Sequence, residues 1–303
     1  MKKGFFILCA LIILTNCDKK DIGGITSPFL DNTSTGTISS VKTFGGSSND
    51  IALSVDATSD NGYVIAGYTQ SNDGDIPQKP DNSSDFWIVK FDQNHDIQWS
   101  KTFGGSGDDR ARKVIQTSDN GFVIIGYSDS SDIDVSVNNG FRDFWIIKLD
   151  ANGQLLWEKS YGFSGNDEGF NIKENTDGTL IAVGFLDVSA AGNQGNFGKN
   201  QINHAGGDYW VLKLASTGDL IWSRFFGGSF TDIAFDLSIN DENDITVIGS
   251  SDSTDSDITA NNGTYDFWVV KMDASGNLLW ERSFGGSQID EGRAIVKTTN
   301  GYL

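Results

Sequence analysis

The chain of 303 residues sets 22 Lys and Arg against 41 Asp and Glu, a formal charge of −19. A balance that acidic repels polyphosphate, which excludes nucleic acid and bare anionic membrane surfaces as partners. Hydrophobic residues at 38%, together with 36 glycines, exclude global disorder.

In chain order the first element is an address rather than a part of the fold. Lys2 and Lys3 form a basic start, Gly4 to Leu14 is an apolar run, and Leu14-Thr15-Asn16-Cys17 follows. The run falls well short of the about 20 residues needed to span a bilayer. Residues 1–17 resemble a bacterial lipoprotein signal, with Asn16 in a place where Gly, Ala or Ser is usual. That resemblance implies cleavage before Cys17, acylation of Cys17 (palmitate among the chains), and a mature protein held in the bacterial cell envelope at the outer membrane, exposed on its surface. The sequence has only Cys9 and Cys17, so the mature domain has no thiol for disulfides, thiolate catalysis or zinc. Residues 18–37, rich in Gly, Ser, Thr and Asp, read as a flexible tether. The charged start Asp18-Lys19-Lys20-Asp21 is similar to surface-export signals of some Gram-negative lipoproteins. Asp18 directly after the cysteine also resembles an inner-membrane retention signal, so the membrane and leaflet stay open.

Residues 38–303 are one repeat. Phe44-Gly45-Gly46, Phe103-Gly104-Gly105, Tyr161-Gly162, Phe226-Gly227-Gly228 and Phe284-Gly285-Gly286 recur at spacings of 59, 58, 65 and 58 residues. The eight tryptophans keep the same clock as pairs twelve apart: Trp87/Trp99, Trp145/Trp157, Trp210/Trp222 and Trp268/Trp280. Within the second unit, strands are expected over Arg110 to Thr117, Phe122 to Tyr127, Phe144 to Asp150 and Leu155 to Tyr161. The turns Ser118-Asp119-Asn120-Gly121 and Ala151-Asn152-Gly153 supply the left-handed backbone of tight hairpins. Runs such as Phe144-Trp145-Ile146-Ile147 are apolar on both faces, as suits a strand covered from both sides. No helical pattern appears. The expected fold is all-β, a β-propeller of four-stranded antiparallel blades. Four repeats are complete and a fifth is split between an outer strand at Thr37 to Phe44 and a first strand and a half at Arg293 to Leu303. Because exposed sheet edges are costly, a truncated product or a fragment of a longer propeller is the stronger expectation than a compact five-bladed ring.

Asp150-Ala151-Asn152-Gly153 before Trp157, and Asp273-Ala274-Ser275-Gly276 before Trp280, resemble the tryptophan-docking repeat of quinoprotein-type propellers. That family holds both quinone-dependent dehydrogenases and non-enzymatic outer-membrane-assembly lipoproteins. The spacing is one residue shorter here, and His95 and Ala215 replace the motif's Gly and Asp in the first and third units. The chain is more similar to the Trp-x-x-Lys-x-Asp-x-x-Gly-x-x-x-Trp repeats of uncharacterised surface lipoproteins.

Several charges keep register. Asp50, Asp109, Asp167, Asp232 and Asp290 lie six residues after the signature aromatic, Lys90, Lys148, Lys213 and Lys271 three after the first Trp, and Lys42, Lys101, Lys159, Arg224 and Arg282 two before the aromatic. A group that recurs in every blade is expected to tie loops and pair across blades rather than to catalyse. The loop after the second strand and the loop into the next blade emerge on one face, which should be acidic and loop-rich, with the third unit's insertion, Leu186 to Gly207, on it. Closely spaced Asp73 and Asp75, Asp132 and Asp134, and Asp255 and Asp257 offer oxygen ligands of the kind calcium takes, making calcium the one candidate cofactor. Solvated Asx-turn loops are the alternative. His95 and His204 are the only histidines, and both read as exposed loop residues rather than catalytic bases. The functional expectation is a lipid-anchored, non-catalytic binding or scaffolding module, meeting a protein or glycan at the cell surface. The alternatives are a glycan-active enzyme using a carboxylate pair, and a fragment with no function of its own.

Overall fold

A computed structural model describes residues 41–189, 206–298 and 301–303. The fold is all-β and propeller-like. Blade 1 comprises β1 (Asp50–Ala57), β2 (Tyr63–Thr69), β3 (Asp85–Phe91) and β4 (Ile97–Phe103). Blade 2 comprises β5 (Asp109–Gln116), β6 (Phe122–Ser128), β7 (Asp143–Leu149) and β8 (Leu155–Tyr161). Blade 3 comprises β9 (Asp167–Glu174), β10 (Leu180–Asp187), β11 (Gly207–Leu214) and β12 (Leu220–Phe226). Blade 4 comprises β13 (Asp232–Ile239), β14 (Ile245–Ser251), β15 (Asp266–Met272) and β16 (Leu278–Phe284). In each blade the strands pair antiparallel in chain order, and the predicted bounds of the second unit hold to within a residue.

Blades stack through their broad faces, where hydrophobic clusters bridge neighbours. One joins Ile88 and Phe103 of blade 1 to Val114, Trp145 and Ile147 of blade 2, and the next joins Ile125 and Ile146 to Ile172, Trp210 and Leu212 of blade 3. The first tryptophan of each pair lies in this core, at most 5% exposed. The second docks on the hairpin of the following blade. Trp99 Nε1 donates to the Ala151 carbonyl at 3.2 Å, and Trp157 Nε1 to the Ser216 carbonyl at 3.2 Å. Their rings lie over Gly153 (φ 74°) and Gly218 (φ 82°), where a Cβ would come within 3.0 Å of the indole. Gly218→Ala therefore combines a left-handed backbone with a ring clash. We expect it to cost about 1–3 kcal/mol in chemical denaturation, whereas alanine at Gly178, which has a similar φ and no neighbour within 4 Å, should lose only the backbone part.

Among the described residues the array is open. Val55 is 55% exposed, whereas Val114, Ile172 and Leu237, in the same register of blades 2 to 4, are fully buried by the preceding blade. Of the outer strand expected over Thr37 to Phe44, residues 37–40 fall outside the described part and 41–44 form no strand. Those residues still occupy a preceding blade's position: Lys42 Nζ donates to the His95 carbonyl at 2.8 Å, and Phe44 packs 4.9 Å from the Phe91 ring. At the other end, irregular backbone takes the place of a fifth blade's first strand. It hangs on blade 4 through Gly292 N–H to the Gly249 carbonyl (3.1 Å) and Ile295 N–H to Asp236 (2.8 Å), before the short hairpin of β17 (Lys297–Thr298) and β18 (Gly301–Tyr302).

Candidate functional site

The two classes of loop predicted to share a face do so, and the signature glycines show how. In blade 2's entry loop, Gly104 N–H donates to Asp134 (3.2 Å), Gly105 N–H to Asp109 (2.7 Å) and Ser106 N–H to Asp132 (2.8 Å). The pattern repeats with Gly45, Gly46 and Ser47 on Asp75, Asp50 and Asp73, and with Gly227, Gly228 and Ser229 on Asp257, Asp232 and Asp255. Three consecutive N–H groups thus meet three carboxylates in each of these junctions, a charge-assisted tie between the inter-blade loop and the loop after the second strand. The third unit keeps the part that its sequence allows: Phe163 N–H donates to Asp167 at 2.6 Å.

Each of the six acids proposed as calcium ligands thus accepts a main-chain N–H on one of its oxygens. No group of three or more His, Cys, Asp or Glu side chains suited to a metal forms among the described residues. Calcium would have to displace these N–H groups, so millimolar calcium after chelator should move the melting temperature by no more than about 1 °C; a rise of several degrees would show that the metal does compete. Asp132→Ala, which orphans the Ser106 N–H, should cost about 1–2 kcal/mol in the same melt.

Of the lysines in register, Lys90, Lys148 and Lys271 pair within their own blade, with Asp60 (2.8 Å), Asp119 (2.7 Å) and Asp244 (2.9 Å), whereas Lys159 pairs across blades with Asp219 at 3.4 Å, as expected. The three intra-blade pairs tie the third strand to the first hairpin. The acids six residues after the aromatic face other carboxyls instead. Asp85, Asp143, Asp208 and Asp266, each just before the aromatic-Trp step of its third strand, lie against the next blade's Asp109, Asp167, Asp232 and Asp290 at the signature glycines Gly104, Gly162, Gly227 and Gly285. The N–H of Asp109 donates to the Ser84 carbonyl at 2.6 Å, and that of Asp167 to the Arg142 carbonyl at 2.7 Å, which holds each pair together. Burial pushes the Asp109 carboxyl up to about 6, against hydrogen bonds from Ser128, Gly105 and Ser130. Burial, with Asp143 adding like charge, pushes Asp167 to about 7, and burial with Asp208 beside it pushes Asp232 to about 8. These pairs escaped the sequence reading, although the Asp before each Phe/Tyr-Trp step keeps the tryptophan clock and was the available signal.

Unrepeated residues collect on the same face beside the innermost strands. Arg110 Nε donates to Asp108 at 2.7 Å, Arg142 Nη1 to Glu168 at 2.6 Å and Arg112 Nη2 to Glu168 at 3.2 Å. Tyr127 Oη donates to the second Asp108 oxygen at 2.9 Å. Burial raises the Asp108 carboxyl, but the hydrogen bonds from Arg110, Ser84 and Tyr127 outweigh it and hold the group below its ordinary value. His95 caps the first unit's second hairpin at φ 66°, on the exposed surface. His204 and most of the insertion expected over Leu186 to Gly207 lie outside the described residues, as does Cys17.

No family model matches the chain. It is similar to regulatory protein FlaEY of Caulobacter vibrioides, 27% identical over 209 residues, 65% of this chain and 22% of that protein. The chain thus spans about a fifth of the curated relative it matches. Among solved structures it is similar to the Neurospora crassa Pan2 WD40 domain, at 13% identity and TM-score 0.41, covering 77% of this chain and 66% of that one. It is also similar to BamB of Moraxella catarrhalis, at 10% identity and TM-score 0.25, covering 82% of this chain and 80% of that one.

Proposed function

We propose that this chain is a lipid-anchored, exported β-propeller of the bacterial outer membrane that works as a non-catalytic binding or scaffolding module through its loop face. The observation that carries the reading is a division of labour. Residues that recur in every unit are consumed in holding blades together, whereas the unrepeated polar and aromatic side chains gather where the loops emerge, the usual place for binding on a rigid scaffold. The resemblance to tryptophan-docking lipoproteins supports the same reading, since Trp99 and Trp157 dock as described. The glycan-active alternative needs two accessible carboxyls, one with a raised pKa. The carboxyls pushed up most here, Asp109, Asp167 and Asp232, have no solvent exposure and recur at successive junctions, which suits packing and not turnover.

Two measurements test the proposal. Metabolic palmitate labelling of the full chain in a Gram-negative host should mark the wild type and not Cys17→Ser; equal labelling would remove the anchor at that residue. Photo-crosslinkers placed at Phe141 and Phe230, 72% and 56% exposed in the loops, should trap envelope partners, while one at Leu156 on the outer strand β8 should not. Adducts only from Leu156 would move the working surface to the blade edges.

A further inference from the structure

We propose that Arg110, Arg112 and Arg142 form a receptor for a small carboxylate, at the loop-face end of the innermost strand of blade 2. This rests on the binding-module reading above and names the chemistry of its ligand. Three of the chain's six arginines meet here, in a protein whose overall charge is −19. Two carboxylates, Asp108 and Glu168, face these three guanidinium groups, leaving a local excess of positive charge.

The arginines are also pre-oriented. Arg110 stacks 4.5 Å over the Tyr68 ring, Arg142 lies 4.3 Å over Tyr127, and Arg112 sits between Tyr127 at 5.6 Å and Phe170 at 5.2 Å. An aromatic face beside a guanidinium restrains the cation without consuming its N–H donors, which stay free for the forked contact that a carboxylate makes. The aromatic run continues from Phe170 to Phe235 (5.4 Å), where Arg293 lies 4.0 Å over the ring. Each of the three clustered side chains is about one third exposed (34%, 33% and 35%), so the cluster is open to solvent on one side. Arg112 Nε is buried without a hydrogen-bond partner, so the network is not closed on itself as a purely structural ion pair would be.

Repetition provides the internal control. The positions of Arg110 and Arg112 are Ile51 and Leu53 in blade 1, Glu168 and Phe170 in blade 3, and Ile233 and Phe235 in blade 4. The fifth unit's start has Glu291 and Arg293 there, so blades 1, 3 and 4 build the fold without arginine at either position, and blade 2 alone pairs Arg110 with Arg112. A long polyanion would meet the acidic remainder of the face, whereas a single carboxylate, free or on a larger neutral ligand, meets only the cluster.

The test uses the full chain with its side-chain arginine ¹⁵Nε–¹Hε resonances observed by NMR during titration with acetate, and with a neutral oligosaccharide bearing a single uronate as the larger form. Saturable shifts confined to Arg110, Arg112 and Arg142, weakened at least tenfold in Arg112→Gln and only partly restored in Arg112→Lys, are the expected result. Arg224, stacked on Trp222 away from the cluster, serves as the control and should not shift. Shifts that are linear to high concentration, or that persist unchanged in Arg112→Gln, would overturn the proposal. If loop-face crosslinks survive in Arg112→Gln while titration shows nothing, the receptor fails and the binding module stands; loss of crosslinks from the wild type itself would remove the module.

Discussion

Trp145→Ala is expected to lower the stability of the domain by about 3–5 kcal/mol, the cost of emptying a large, fully buried aromatic site. The indole has no exposed surface, donates to Glu158 at 2.9 Å, and presents an edge to Phe86 of the preceding blade with ring centroids 4.5 Å apart. It therefore joins two sheets, and its removal weakens a junction as well as a blade. Urea unfolding followed by far-ultraviolet circular dichroism should show a lower midpoint and a second transition as blade 1 uncouples from blade 2, because arrays of repeats hold together through nearest-neighbour contacts. Trp157→Ala, whose ring lies half-buried on the next blade's hairpin, should cost less. A shift below about 1 kcal/mol for Trp145→Ala would mean that the junction is held by the N–H to carboxylate ties instead.

The second large effect is on pH. Asp109, Asp167 and Asp232 have folded values near 6, 7 and 8, all above the ordinary 3.8 that the unfolded chain restores. A group whose folded pKa is raised supports the fold when protonated, so its contribution is complete below about pH 4 and is lost as pH rises through 6, 7 and 8 in turn. Each tenfold difference in proton affinity is about 1.4 kcal/mol, so the three together should weaken the fold by several kcal/mol, on the order of half the stability of an ordinary domain, between pH 5 and pH 9. Asp60 and Asp119 act in the opposite window. Hydrogen bonds from Lys90 and Thr58 hold Asp60 at about 2; at Asp119 burial pushes the other way, but Lys148 and Thr117 hold it at about 2 too. Their support is lost as pH falls from 4 toward 2. The maximum should lie near pH 4, below the usual range. Asp232→Asn, which fixes a neutral amide in place of the protonated acid, should raise the melting temperature at pH 8.5 and leave it nearly unchanged at pH 5. Equal melting at both pH values in the wild type would show that these carboxyls ionise freely.

The blades were legible because their signals are local: alternation of apolar residues, Asn-Gly and Asp-Gly turns, and tryptophans at fixed spacing predict strands that the structure places within a residue. The ends were less legible. Val41 to Phe44 and Arg293 to Ile295 are expected in strands, yet regular pairing needs a neighbour on the hydrogen-bonding side, and among the described residues these segments have none. The acids of the loop face were readable as a cluster but their main-chain contacts were not, since a carboxylate free for calcium and one that accepts an N–H from the loop look alike until the Gly-Gly-Ser backbone is seen turning toward them. The arginine cluster was hidden for the opposite reason. Arg110 and Arg142 belong to no register and Arg112 is matched only by Arg293 in the incomplete fifth unit, and comparing units rewards what repeats, while a ligand site on a repetitive scaffold is written in what does not.

The docking of Trp99 and Trp157 has an evolutionary corollary. The acceptor in each case is a main-chain oxygen, of Ala151 and of Ser216, so the receiving turn can drift in sequence so long as its backbone shape survives. That freedom explains how Ala215-Ser216-Thr217 stands where another unit has Asp150-Ala151-Asn152. It also has a boundary. Where an indole covers the left-handed residue, only glycine fits; in the first unit Lys42 reaches that turn in place of a tryptophan, and His95 has taken the position without penalty from a ring above it.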